Sequence, residues 1–214
     1  KIRNVGELEA LLDILSSAIG ALTNPNKLQK TFKSVNRSKI TATTITKYIE
    51  YLEDAFLIEE AMRYDIKGKS YIGTPLKYYF MDMGLRNARI NYRQIEITHS
   101  MENVIYNELR MRGFSVDVGN LTIVENGKDG KAVKKQLEVD FICNKGSKKY
   151  YIQSAYQPGT EEKLAQEIRP FLKIKDCFKK IVITSDTPKP CYTDEGILMM
   201  NVYDFLLNPE LIDL

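Results

Sequence analysis

Two nearby segments, QLEVDFI (Gln136 to Ile142) and KYYIQSAYQ (Lys149 to Gln157), carry residue types on which chemistry could be built. Side chains of an extended chain alternate between faces, so Glu138 and Asp140 share one side and Val139 and Phe141 the other. Metal-assisted cleavage of a phosphodiester asks for two acids that hold a divalent ion. In one known arrangement such a site adds a lysine two residues after the second acid, on the same face, to activate water or steady phosphate charge. Glu102 and Asp140 are the available acids. Where acid-x-lysine would stand, the chain has Gln153-Ser154-Ala155. The amide of Gln153 is a poor magnesium ligand, and Ala155 carries no charge. Glu102 and Asp140 therefore remain only weak metal candidates. The expectation is a degenerate site with no catalytic residue, in which buried carboxylates need partners such as the Gln153 amide.

Other lures fail on spacing. GKS (Gly68 to Ser70) would need a glycine at Arg63 to complete a phosphate-binding loop, and it falls in a turn rather than between strand and helix. His99 is the only histidine and has no Ser or Cys partner in a recognisable motif. Cys143, Cys177 and Cys191 form no C-x-x-C pair, which argues against zinc and fits a reducing cytoplasm. The tyrosines of KYYF and KYYI suit strands better than base stacking.

The composition is that of an ordinary globular chain: 214 residues, 43% hydrophobic and 28% charged. Runs such as IVIT and ILMM are too short to span a bilayer, and no secretory leader opens the sequence. A first residue of Lys suggests a piece of something longer. The net charge of +3 neither demands nor excludes a nucleic-acid partner, but the charge is clustered. Lys27, Lys30, Lys33, Arg37 and Lys39 fall in one stretch without an acid.

The elements that must position these groups follow from periodicity. Leu8, Leu11, Leu12, Leu15 and Ile19 mark a first helix opened by Asn4, with Glu7 three residues on. A second helix is expected from Asn26 to Val35. A third is capped by Thr41 and ends near Asp54, with Ile45, Tyr48, Ile49, Leu52 and Phe56 as its apolar stripe. Thr43, Thr44, Thr46, Lys47 and Glu50 face outward. LIEEAMRYDI and LKYYFMD read as a hairpin. Three helices and a hairpin give a winged helix-turn-helix, with the third helix in the recognition position. Met83 to Thr98 reads as a polar, irregular bridge. Ser100 then caps an amphipathic helix ended by Gly113, carrying Met101, Val104, Ile105 and Leu109 inward. Strands, a basic loop ENGKDGKAVKK, a helix from Thr160 to Lys173, the buried strand KKIVITSD and ILMMNV complete an α-β-β-β-α-β-β order. The expected fold is thus a two-domain α+β and α/β chain: residues 1–86 winged helix, 87–99 linker, and 100–214 a three-layer α/β domain with a mixed sheet.

A series of segments in order, TITKYIEYLEDAFLI, KYYFMDMGLRNA, ENVIYNELRMRGFSVDVG, EVDFI, YYIQSAYQ and EIRPFLKIKDCFKKIVIT, resembles the C-terminal region behind the AAA-type P-loop domain in a family of bacterial and archaeal ATPases. The resemblance implies a winged helix followed by a restriction-endonuclease-like domain, here of the inactive, glutamine-bearing form. It also implies an upstream ATPase domain using ATP and magnesium. No residue of this chain can be assigned to those cofactors, because it has no P-loop.

Three functions stay open. In the first, a non-catalytic, regulatory arm of a cytoplasmic ATPase binds double-stranded DNA through Thr43, Thr44, Thr46 and Lys47, with Arg37, Lys39, Lys67 and Lys69 near phosphates. Glu50, Glu53 and Asp54 oppose it. In the second, the chain is a protein-interaction module, its own ATPase domain being the first partner. In the third, residual metal-dependent nuclease activity persists. No membrane partner is expected, and oligomeric state is not legible.

Overall fold

The computed structural model describes residues 2, 4–36, 38–93, 95–126 and 129–214. The chain is a mixed α+β protein with an eight-stranded mixed sheet whose strands lie in the order 70–80, 58–65, 115–126, 132–145, 148–155, 179–184, 198–201 and 191–192. It divides into two compact units. One comprises Lys1–Ala61 and Gly73–Asn103, the other Met62–Ile72 and Val104–Leu214. This division differs from the expected one at 86 and 100. The turn of the first hairpin goes with the second unit, and residues 87–103 go with the first. No helix among the described residues is long and apolar enough to cross a membrane.

In the first unit, α1 (Val5–Ser17) starts where the Asn4 side chain accepts the Glu7 N–H at 3.2 Å. Helix α2 (Pro25–Thr31) starts on Asn24, which accepts the Lys27 N–H at 2.8 Å, with Pro25 in the first turn, where a missing N–H does no harm. The single second helix expected to Val35 stops at Thr31 and passes into a π-helical turn, Phe32–Asn36. Helix α3 (Ala42–Asp54) has the predicted bounds, because Thr41 accepts the Thr44 N–H and Ile45, Tyr48, Ile49 and Leu52 are buried at helical spacing. Phe56 departs from that stripe. It lies beyond the helix at φ 55° and is 80% exposed. The reason is the helix end: Phe56 N–H bonds Glu53 O and Leu57 N–H reaches back to Leu52 O, which swings Phe56 outward and buries Ile58 instead. Leu11, Leu15, Leu28, Phe32, Ile45 and Ile49 sit at the centre of this unit's core.

Strands β1 (Ile58–Asp65) and β2 (Ser70–Phe80) form the hairpin. Asp65 Oδ1 shapes its turn by accepting the N–H groups of Lys67 and Gly68, each at 3.0 Å. The expected irregular bridge contains a helix, α4 (Met83–Arg89), opened by Asp82 accepting from Gly84 and Leu85. Arg86 on it is only 1% exposed and donates its Nε–H to Ser16 O at 2.8 Å. Helix α5 (Ile97–Met111) begins three residues before Ser100, which therefore lies inside the helix rather than capping it. Its end is as predicted. Gly113 takes φ 82° and Phe114 N–H reaches back to Leu109 O.

In the second unit, β3 (Ser115–Asn126), β4 (Ala132–Lys145) and β5 (Lys148–Ala155) pair antiparallel in sequence. The turn-side half of the β3–β4 hairpin, including AVKK (132–135), is strand where a basic loop was expected. Its β4 residues up to Gln136 are exposed, so no apolar alternation announced it. The β3–β4 register shifts between Asp117 and Gly119. A side chain at Gly119 would meet Val139 Cβ at 2.8 Å, so only glycine fits this approach. Residues Arg63–Asp65 of β1 run parallel to Val118–Asn120 of β3.

Helix α6 (Glu161–Leu172), capped by Thr160, links β5 to the parallel β6 (Lys179–Thr184). Ile181, Val182 and Ile183 are fully buried, as a continuous apolar run demands of a central strand. The two-residue β7 (Cys191–Tyr192) pairs with β8 (Leu198–Asn201), and α7 (Val202–Leu207) follows. The core of this unit gathers Leu121, Val139, Ile142, Tyr151, Phe171 and Val182.

Candidate functional site

Asp140 and Gln153 meet across β4 and β5. Asp140 lies one residue beyond the Phe141–Ile152 pair and is 8% exposed. Its Oδ2 accepts the Ser154 N–H at 2.9 Å, and its own N–H donates to Gln153 Oε1 at 3.3 Å. Gln153 Nε2 in turn donates to Glu167 Oε2 on α6 at 3.2 Å. Burial raises the Glu167 carboxyl above its usual range, against the bond from Gln153. Asp140 thus holds a backbone N–H of the next strand, and Gln153 ties that strand to the helix. Ala155, two residues on in β5, is buried. Gln153 acts through both ends of its amide, where the sequence suggested only a donor.

Glu102 falls in the first unit, on α5. Lys77 Nζ lies 2.8 Å from its Oε1, the Tyr79 hydroxyl donates to the same oxygen at 2.7 Å, and His99 Nδ1 stands 3.6 Å from Oε2. The Lys77 and Glu102 side chains are only 4% and 8% exposed. Burial pushes this carboxyl up, but the Lys77 charge and the contacts of His99, Lys77 and Tyr79 outweigh it and hold the group well below the ordinary carboxylate range. His99 is raised by the same carboxylate, against its own partial burial. Beside Glu102, Asn103 clamps the β2 backbone, accepting the Phe80 N–H at 2.8 Å and donating to Phe80 O at 2.7 Å. Sequence reasoning missed Lys77, Tyr79 and Asn103. The available signal was a lysine inside the apolar run LKYYF. Among the described residues no group of three His, Cys, Asp or Glu side chains is placed to hold a metal.

The outward face of α3 is partly as expected. Thr43, Thr46 and Lys47 are exposed and Thr44 is half-buried. Two threonines are engaged in the helix itself: the Thr44 hydroxyl lies 3.0 Å from that of Thr41, and Thr46 donates to Ala42 O at 3.1 Å. Lys39 is exposed just ahead of the helix, while Arg37 lies outside the described residues. Lys67 and Lys69 are exposed in the turn that goes with the second unit, where Lys67 Nζ donates to Thr122 O at 3.1 Å.

The C-terminal half of α3 is acidic. Burial, then Glu60, Glu59 and Asp54, raise Glu53 to about 7, against the bond it accepts from the Glu60 N–H. A raised carboxyl binds its proton more tightly in the folded chain, so stability falls as pH rises from the ordinary carboxylate range through about 7. Glu53→Gln keeps the acceptor and removes the charge. It raises the melting temperature at pH 8 and leaves it nearly unchanged at pH 5, a difference that paired thermal melts read directly.

Residues 1–96 match the family described as domain of unknown function DUF8612. An uncharacterized protein of Haemophilus influenzae is 35% identical over 206 residues, covering 96% of this chain and 47% of that protein. The uncharacterized protein MJ1544 of Methanocaldococcus jannaschii is 30% identical over 209 residues, covering 95% of this chain and 42% of that protein. The chain thus spans about half the length of these curated relatives. Among solved structures, the crystal structure of protein VC1899 from Vibrio cholerae matches 97% of this chain and 51% of that chain, with a TM-score of 0.33 and 13% identity.

Proposed function

We propose that this chain is the non-catalytic, DNA-binding and regulatory part of a larger AAA-type P-loop ATPase of the cytoplasm. In this reading α1 to α3 and the hairpin are a winged helix, and the second unit is a restriction-endonuclease-like domain that has lost its chemistry. The observation that carries the non-catalytic part is the use made of Asp140 and Gln153: the carboxylate holds Ser154 N–H and the amide bridges to Glu167. The DNA-binding part rests on α3, whose N-terminal half presents Thr43, Thr46 and Lys47, a small hydroxyl-rich face suited to a major groove. The ATPase part rests on the sequence resemblance, and the greater length of the relatives leaves room for a further domain.

The test has two arms. A labelled random duplex is titrated with the chain and followed by anisotropy between about 50 and about 200 mM salt, where binding through several lysines weakens steeply. The same duplex, incubated with magnesium or manganese, stays intact with both the wild type and Asp140→Ala. Cleavage by the wild type that Asp140→Ala abolishes would overturn the non-catalytic reading. Absence of binding even at the lowest salt would overturn the DNA reading.

One observation favours a second reading, a protein-interaction module. Phe56 is held outward at the acidic end of α3, where an aromatic anchor suits a protein partner and the surrounding acids repel phosphate.

A further inference from the structure

Three lysines with no acid among them converge on one concavity of the first unit. It has a volume of about 630 Å3 and is lined by Gln29, Lys30, Lys33, Ser38, Lys39 and Ile40. The sequence stretch is shaped into a hollow by the change of helix type at Phe32. The π-helical turn Phe32–Asn36 follows α2, and the chain then returns to Thr41, the cap of α3. Two bonds fix that return. Gln29 Nε2 donates to Ile40 O at 3.1 Å, and Ser38 Oγ accepts the Ile40 N–H at 3.1 Å. Ser38 also donates to Glu7 Oε1 at 2.6 Å, which occupies the neighbouring acid on α1. Lys30, Lys33 and Lys39 are exposed, and among the described residues none of them makes a hydrogen bond or ion pair. Three cations brought together at a fixed hollow repel one another unless an anion joins them. A lysine is a point charge suited to phosphate.

We propose that this concavity is a phosphate clamp that grips the backbone of duplex DNA beside the groove read by α3. The proposal rests on the DNA-binding reading above and deepens it. Lys30 and Lys33 supply contacts that the assignment to Arg37, Lys39, Lys67 and Lys69 did not contain. It also answers the acidity of α3: attraction comes from the hollow ahead of the helix, and the acids lie at the opposite end of α3. A phosphodiester is favoured over a small free anion because the hollow is open, its lysines are all exposed, and it adjoins the N-terminus of α3.

The experiment compares three proteins on the same labelled duplex across a salt series: the wild type, Lys30→Gln/Lys33→Gln/Lys39→Gln, and a control, Lys131→Gln/Lys134→Gln/Lys135→Gln, which removes the same charge from an exposed strand end of the second unit. Each lost phosphate contact lowers the slope of log affinity against log salt by about 0.9. The clamp variant therefore loses roughly 2 to 3 of slope and binds roughly tenfold or more weakly, while the control loses less than about 1. A clamp variant with the wild-type slope, or one no weaker than the control, overturns the clamp and leaves the DNA reading standing. A wild type that binds no duplex at low salt overturns the DNA reading. Inorganic tripolyphosphate is then titrated by calorimetry, and lysine-dependent binding of it without duplex binding replaces the proposed occupant with a free polyphosphate.

Discussion

Glu102→Ala lowers the stability of the folded chain by about 3 kcal/mol, because it withdraws a carboxylate from a buried, charge-assisted cluster. Lys77 and Tyr79 both reach Oε1, and Glu102 and Asn103 together fasten α5 to β2. At roughly 2–4 °C per kcal/mol for a chain of this size, the melting temperature falls by about 10 °C. Glu102→Gln keeps the shape and loses less. The pH dependence has a definite sign. The carboxyl is depressed to about 2, so the folded chain binds its proton less readily than the unfolded one. That contribution is whole above the ordinary carboxylate range and is lost as pH falls toward about 2. His99, raised by the same carboxylate, acts oppositely: its contribution is whole in acid and is lost as pH rises through its raised value. Urea unfolding of wild type and Glu102→Gln at stepped pH separates these effects. Identical acid slopes for the two proteins would remove Glu102 from the account.

Gly20→Ala is the second large effect, lowering stability by about 2–5 kcal/mol. Gly20 sits at φ 73°, in the left-handed region that penalises any Cβ by roughly 1–2 kcal/mol. The added carbon would also stand 2.3 Å from His99 Nδ1, and overpacking of that kind adds about 1–3 kcal/mol. The ring cannot yield without leaving Glu102. Gly20→Ala is therefore milder in a His99→Ala background, because the overlap is gone and only the backbone penalty remains. A double-mutant cycle measured by chemical unfolding tests this coupling. Strict additivity would mean that the ring and the glycine do not meet.

What could be read from the sequence depended on how much local chemistry each element carries. The bounds of helix α3 were legible because Thr41 caps it and four apolar residues recur at helical spacing before any tertiary contact is needed. The end of α5 was legible through Gly113, and β6 through its unbroken apolar run. Helix α4, at seven residues, is too short for a period to show, and its buried member is an arginine whose partner Ser16 is seventy residues away. The opening of β4 was hidden because an exposed hairpin has no buried face to enforce alternation. At the site, Asp140 and Gln153 were legible as neighbours because the nuclease-like pattern sets them on consecutive expected strands. Glu167, Lys77 and Tyr79 were not, since each joins through tertiary pairing that no short motif encodes.

The hairpin of β1 and β2 has a consequence for inheritance. Its base is counted with one unit and its turn with the other, so the polypeptide passes between units at 61/62, at 72/73 and again at 103/104. One break in the gene cannot hand over either unit whole. A single recombination point between β2 and β3 would part β1 from β3, the strand it runs parallel to. Neither unit can therefore be handed on complete by one such exchange.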